Sequence, residues 1–235
     1  MKLKDLLTIV IPCKDENENI KNILSDINNQ NESSGLNVIV ADASEDYTTQ
    51  HYIWSETGKT TNIKVIEGGY PAKARYNGAN LTNTQYILFL DADMRIQNKN
   101  FLLEILNEII EKDSDLLTCK VRTYDNRFNY VYKFFDVVQK LHIITGPFAL
   151  GGIMLFKKTS YDKAGGFNPN DLFAEDYNLS RKINSNKFLI SKQTIFTSSR
   201  RIEKKGISYM LSMLVKSYFN RNNRKFFEKH HNYWL

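Results

Sequence analysis

An α/β fold on a doubly wound, mostly parallel sheet is predicted by three observations. Apolar strand-like runs alternate with amphipathic helical segments from the N-terminus onward, the early runs end in acidic residues, and the run 86–90 is wholly apolar until it stops at Asp91 and Asp93. Parallel strands are covered by helices on both faces, so they read as continuous apolar stretches. The expected strands are 6–11, 37–41, 62–66 and 86–90. Between them, 18–28 carries Ile20, Ile23, Leu24 and Ile27 at helical spacing, and 101–110 carries an apolar stripe bounded by Glu104 and Glu108. Both read as helices packed on the core. Tyr70-Pro71 reads as a loop leading to Lys73 and Arg75. Beyond Asp93 the rhythm changes. Residues 114–123 are expected as a strand, 129–144 as a helix over one end of the sheet, and 149–156 as a strand entered through Gly151 and Gly152, where absent side chains permit close approach. Glu175-Asp176 then opens a helix over 176–183, at its positive end.

At 235 residues the chain has room for one substantial α/β core, 1–205, followed by a basic and aromatic helical extension, 206–235. Charged residues make up 25% and hydrophobic ones 42%, which excludes global disorder. The net charge of +6 is unevenly placed. Residues 186–235 hold eleven Lys or Arg against Glu203 and Glu228, a balance of +9, so residues 1–185 sum to −3. Cys13 and Cys119 lie far apart with no metal-type spacing, which fits a reducing, cytoplasmic setting. The apolar stretch 6–13 is interrupted by Pro12 and followed at once by Lys14-Asp15-Glu16, unlike a secretory leader.

The chemistry gathers at strand ends. In a doubly wound sheet, ligands sit at the carboxyl edge of the strands, which lets Pro12, Asp15, Glu16 and Asp42 border one nucleotide-sized site. Asp91 and Asp93 form a hard oxygen pair suited to Mg²⁺ or Mn²⁺ beside a diphosphate. Helix capping accounts for each of these acids singly, but less well for an acidic end on every early strand. Neither GxGxxG nor GxxxxGK[ST] occurs, so dinucleotide binding and P-loop chemistry lose their usual support.

Taken in order, IVIPCKDENENI, VIVADASED, AKARYNGA, YILFLDAD, GGIMLF and AGGFNPNDLFAEDYNLSRKI resemble the family 2 inverting glycosyltransferases, over nearly the whole of residues 6–205. The resemblance implies the GT-A fold, a Rossmann-like α/β sheet, and a nucleotide diphosphate sugar, UDP or GDP, as donor. It implies contact of Asp42 with the base, Asp91 near ribose or sugar, Asp93 on the metal and Asp176 as catalytic base, with Glu175 raising the proton affinity of its neighbour. It also brings Arg75 to the donor and sets Gly151 and Gly152 on the acceptor side. The chain departs from the family pattern at Ala41-Asp42-Ala43-Ser44, where members often read DDGS, and at Arg75-Tyr76, where an Arg-Asn pair is frequent. No Gln-x-x-Arg-Trp follows Glu175-Asp176, so transfer of a single hexose-type sugar is expected rather than processive synthesis.

Arg200 and Arg201 are expected to reach the diphosphate, since a guanidinium suits bidentate phosphate contact. A solvated basic turn explains them equally well. The extension interleaves Lys216, Arg221, Arg224 and Lys225 with Tyr218, Phe219, Phe226, Phe227 and Trp234. That composition suits a helix packed on the domain or peripheral contact with an anionic membrane at its cytoplasmic face, where a lipid-linked acceptor hydroxyl would be met; no nucleic-acid partner is expected. A catalytically silent module that binds sugar nucleotide or membrane is the competing expectation.

Overall fold

The computed structural model describes residues 2–231, the side chain of His142 apart; Trp234 and the rest of 232–235 lie outside the described residues. The elements run α1 (Leu3–Leu6), β1 (Leu7–Cys13), α2 (Asn17–Asn28), β2 (Asn37–Asp42), α3 (Thr48–Trp54), β3 (Asn62–Glu67), α4 (Pro71–Asn80), β4 (Tyr86–Leu90), β5 (Met94–Arg95) and α5 (Phe101–Glu111). They continue with β6 (Leu116–Thr123), α6 (Asn129–Lys140), α7 (His142–Thr145), β7 (Ile153–Lys157), α8 (Lys158–Lys163), α9 (Glu175–Ser180), a 3₁₀ turn (Ser185–Lys187), β8 (Phe188–Thr197), α10 (Arg200–Lys205), α11 (Ile207–Phe219) and α12 (Arg224–Phe227).

The strands form one sheet in the order β3-β2-β1-β4-β7-β6-β8-β5. Pairings from β3 through to β4 and between β6 and β8 are parallel, and β7 enters antiparallel between β4 and β6. The fold is thus mostly parallel α/β, as expected. All five residues of β4 are buried, which is why its sequence is unbroken Tyr-Ile-Leu-Phe-Leu. At the sheet edge, β3 is only part-buried and carries Lys64 and Glu67, charges that discourage pairing with another chain.

Side chains alternate between two cores. Leu7, Ile9 and Ile11 of β1 face one core with α2, α3 and α5, while Val10 faces the other with Ala79 of α4, Tyr161 of α8 and Leu179 of α9. On this second face, Phe89 meets Tyr161 and Phe167 with ring centroids 5.4 and 4.9 Å away. Edge-to-face aromatic pairs add about 0.5–1.5 kcal/mol beyond area burial. Helix α4 lies flat on the sheet because it is small-sided: a Cβ on Gly78 would come within 2.3 Å of the Val10 side chain.

Three expectations are corrected. Pro71, expected with Tyr70 in a loop, instead opens helix α4, which carries Lys73 and Arg75, in the first turn, where its missing N–H costs nothing. The expected helix 129–144 divides at Leu141 into α6 and α7, and the strand expected over 149–156 begins only at Ile153. Strand β8 was not anticipated, because its burial follows no regular alternation and its pairing with β6 shifts register between Thr118 and Lys120.

The C-terminal extension packs on the domain. Phe226, Phe227 and Met213 form a small core with Phe173 and Tyr177, and the Phe227 carbonyl accepts from the N–H groups of Leu172 and Phe173 at 2.8 and 3.1 Å. His231 stacks between Phe173 and Phe226, with centroids 4.9 and 4.5 Å away.

Candidate active site

Because β1 to β4 are parallel, their carboxyl ends fall on one edge: Cys13 is in register with Asp42, and Asp42 with Glu67. Antiparallel β7 delivers its start to the same place, with the Asp91 N–H donating to the Gly152 carbonyl at 3.0 Å. Strand β8 finishes there too, Thr197 in register with Met94. The topology alone therefore collects Pro12, Glu16, Asp42, Asp91, Asp93, Gly151, Gly152 and Arg200 from five segments onto one rim.

At the centre lies Arg75, only 1% exposed. Its guanidinium donates to Asp91 Oδ1 at 2.6 Å, to the Gly151 carbonyl at 3.2 Å and to Glu175 Oε1. The guanidinium carbon also stands 5.4 Å from the centroid of Phe167. Burial works against its charge, but part-buried Asp91 and buried Glu175 outweigh that and hold the arginine more firmly protonated than usual. Arg75 thus ties the end of β4 to the start of α9. Glu175 is buried and committed to the same tie.

Asp176, next in sequence, is half-buried beside Gly151: a Cβ there would lie 2.7 Å from Asp176 Oδ2. A Cβ on Gly152 would lie 1.7 Å from the Met94 methyl. What approaches these two glycines is the protein's own Asp176 and Met94. Ala174, immediately before α9, adopts a left-handed conformation (φ 48°, ψ 37°), an uncommon state for alanine that turns Glu175 and Asp176 into the rim. Burial, and then the neighbouring Glu175, raise the Asp176 pKa to about 7. Asp93 is likewise raised to about 6, by burial and then by Asp91.

Two clefts meet at this rim and share Arg75, Asp91, Asp93 and Arg201. The larger, 730 Å³, is polar and bordered by Pro12, Glu16, Ala43, Tyr70, Arg200 and Lys204. Arg200 donates to Glu16 at 2.9 Å and lies 4.0 Å from Asp93. The smaller, 140 Å³, contains Asp176 and is walled by Phe135, Phe148, Met210, Met213 and Leu214. Asp42 sits one strand over: its Oδ1 accepts from the Ser44 N–H and hydroxyl at 3.0 and 2.6 Å, and its buried Oδ2 has no protein partner. Among the described residues no group of three or more His, Cys, Asp or Glu side chains is arranged to hold a metal.

The model of glycosyl transferase family 2 matches residues 8–165. The chain belongs to that family. Its sheet superposes on a mannosyltransferase, PcManGT of Pyrobaculum calidifontis, solved with GDP-mannose and Mn²⁺ (TM-score 0.72, 19% identity), covering 92% of this chain and 64% of that one. It also superposes on S. aureus TarS residues 1–349 with UDP-GlcNAc (TM-score 0.65, 20% identity; 82% of this chain, 58% of that). A third likeness is to glucosyl-3-phosphoglycerate synthase of Mycobacterium tuberculosis with Mn²⁺, UDP and phosphoglyceric acid (TM-score 0.59, 14% identity; 91% and 78%). These likenesses establish the GT-A fold. The chain spans under two thirds of the length of the first two. No curated protein matches the sequence.

Several residues of this family 2 glycosyltransferase site escaped the sequence reading. Tyr124 donates its hydroxyl to the Asp93 carbonyl at 2.6 Å, bracing the Asp93 backbone. Lys204, Lys205 and His230 rim the polar cleft, and His230 packs on Tyr70 with centroids 4.9 Å apart. Their signal was the charge of the extension, which has no periodicity pointing back to a strand edge. No helix among the described residues is long and apolar enough to cross a membrane.

Proposed function

We propose that this protein is an inverting glycosyltransferase that moves one sugar from a UDP- or GDP-sugar to an acceptor hydroxyl. The observation that carries the reading is the division of the rim, with the paired acids Asp91 and Asp93 between a polar, cation-bordered cleft and an apolar one that holds Asp176. The polar cleft suits the nucleotide diphosphate. Asp42, with one buried oxygen unpartnered, is suited to a base N–H. Arg200 and Arg201 face the diphosphate, so that donor binding exchanges the Arg200–Glu16 pair for phosphate contacts.

Asp93 fits a hard divalent cation: its carboxylate is largely withdrawn from water and short of positive charge, as its raised pKa records. With no third ligating side chain at hand, phosphate and water would complete the shell of Mg²⁺ or Mn²⁺. When bound, such an ion stabilises the negative charge that develops on the departing diphosphate. Asp91, its Oδ1 on Arg75, keeps its other oxygen for the ribose or sugar. Asp176 takes the proton of the acceptor hydroxyl, which attacks the anomeric carbon from the side opposite the diphosphate and inverts it. Its raised pKa matches that task, since a general base works best near the operating pH. Glu175 and Arg75 position it.

The aromatic and aliphatic walls beside Asp176 favour an acceptor with an apolar body, a lipid-linked hydroxyl, met by peripheral contact at the cytoplasmic membrane face. Incubation with UDP- and GDP-sugars, Mn²⁺ or Mg²⁺ and an acceptor that carries free hydroxyls on an apolar chain, such as a long-chain alkyl glycoside, followed by NMR of the product's anomeric proton, tests the reading. An inverted anomer is expected. A retained anomer, or no thermal stabilisation by any nucleotide sugar with metal, overturns it.

A further inference from the structure

Helix α6 is apolar on two faces, and only one is accounted for by the core. Val131, Tyr132 and Phe135 are buried, whereas Tyr130, Phe134, Val137, Leu141, Ile143 and Ile144 are between 48% and 84% exposed. From Tyr130 to Leu141 and on to Ile144 the spacing is four, three, four and three residues, one continuous stripe on the outer side of α6 and α7. The turn at Leu141 does not scatter it, because the Leu141 carbonyl accepts from Ile144 and Thr145 at 2.8 and 3.0 Å.

The stripe cannot roll inward. Asp136 accepts from Arg122 at 2.5 Å and Gln139 donates to the Phe148 carbonyl at 2.9 Å, and both side chains lie on the buried face. Rotating the helix would strand an ion pair and a buried amide, each costly to leave unpaired. Exposure of the stripe is therefore built in, and a contiguous patch of this kind marks an interaction surface.

Charge selects the partner. Lys133 and Lys140, a heptad apart, are exposed along the border of the stripe. Residues 127–156 contain one acid, Asp136, and it is paired with Arg122. Large apolar side chains on one side, lysines at the border and a tyrosine at one end form the pattern of a helix lying in a membrane interface. The opposite face of the same helix supplies Tyr132 and Phe135 to the apolar cleft.

We infer that α6–α7 is the surface by which the protein docks on an anionic lipid bilayer, bringing the apolar cleft against the membrane. This extends the reading of a lipid-borne acceptor, and its test reads vesicle binding without donor or transfer, so the two stand or fall separately.

The full chain should float with phosphatidylcholine vesicles containing phosphatidylglycerol and much less with phosphatidylcholine alone. Phe134→Glu combined with Ile144→Glu should lower vesicle partition about tenfold or more, with melting temperature unchanged. Lys133→Gln and Lys140→Gln, which leave the apolar stripe intact, should each lower it about fivefold and weaken its salt dependence. Failure of the wild-type chain to bind anionic vesicles overturns the inference, as does wild-type binding by the Glu pair. So does a wild-type dimer, seen by light scattering, that the Glu pair splits while vesicle binding is absent; a second copy would then be the occupant.

Discussion

The two clefts at the rim differ in the way the two halves of the reaction differ. The polar cleft is 730 Å³, formed by loops after parallel strands and edged by cations; the apolar one is 140 Å³, formed by α6, α11 and the approach to α9. In the proposed reaction, charge separates in the first and a neutral hydroxyl is brought up in the second. A single surface could not serve both, because hydration that suits a diphosphate would screen and compete with a base near an apolar acceptor. The wall between them is an ion-pair chain, Asp91–Arg75–Glu175, which in the proposed reaction would hold donor and base at a set distance.

The sharpest break in this comparison is Asp176→Asn. It should lower kcat by about 10²- to 10⁴-fold, read in a transfer assay, while calorimetric donor affinity stays as it was. Loss of donor binding would place Asp176 in the wrong cleft. Asp93→Ala should do the reverse, abolishing the metal dependence of donor binding; unchanged affinity with Mn²⁺ would remove Asp93 from that role.

Next comes the wall itself. Arg75→Met leaves Glu175 buried and Asp91 part-buried without their cation, and breaking a buried pair costs about 3–5 kcal/mol, read from urea unfolding. A stable Arg75→Met protein with native kcat would mean that the tie does not position the base. Gly151→Ala is a finer probe. A methyl 2.7 Å from Asp176 Oδ2 must push that carboxylate aside, so kcat should fall about tenfold or more with donor affinity preserved.

The sequence made one cleft more legible than the other, for a physical reason. Donor-side acids follow buried parallel strands, whose apolar runs stop abruptly, so Asp42, Asp91 and Asp93 announce themselves. The first four strands were visible for the same cause. The wall was not visible, since Arg75 and Glu175 are a hundred residues apart and α4, Pro-Ala-Lys-Ala-Arg-Tyr-Asn-Gly-Ala-Asn, shows no apolar stripe. Nor was the apolar cleft: Met210, Met213 and Leu214 read as part of a basic tail until α11 is seen to pack over the sheet. Half-buried β8, with its register shift, has no period to read.

The smallest effect discriminates between causes of the raised Asp176 pKa. A base must be ionised, so kcat/KM should rise with pH along a limb near pH 7, and Glu175→Gln should move that limb to lower pH by removing a like charge. Stability runs the other way. An aspartate held near 7 in the fold but near its ordinary 3.8 when unfolded keeps its proton in the native state between those values, so its contribution is greatest below pH 3.8 and declines as pH rises through 7. Asp176→Asn should therefore melt higher than wild type at pH 8 and lose that advantage at pH 5. A variant that melts lower at pH 8 would show that the carboxylate is solvated as well in the fold as in water, and the apolar cleft would then have no hold on its proton.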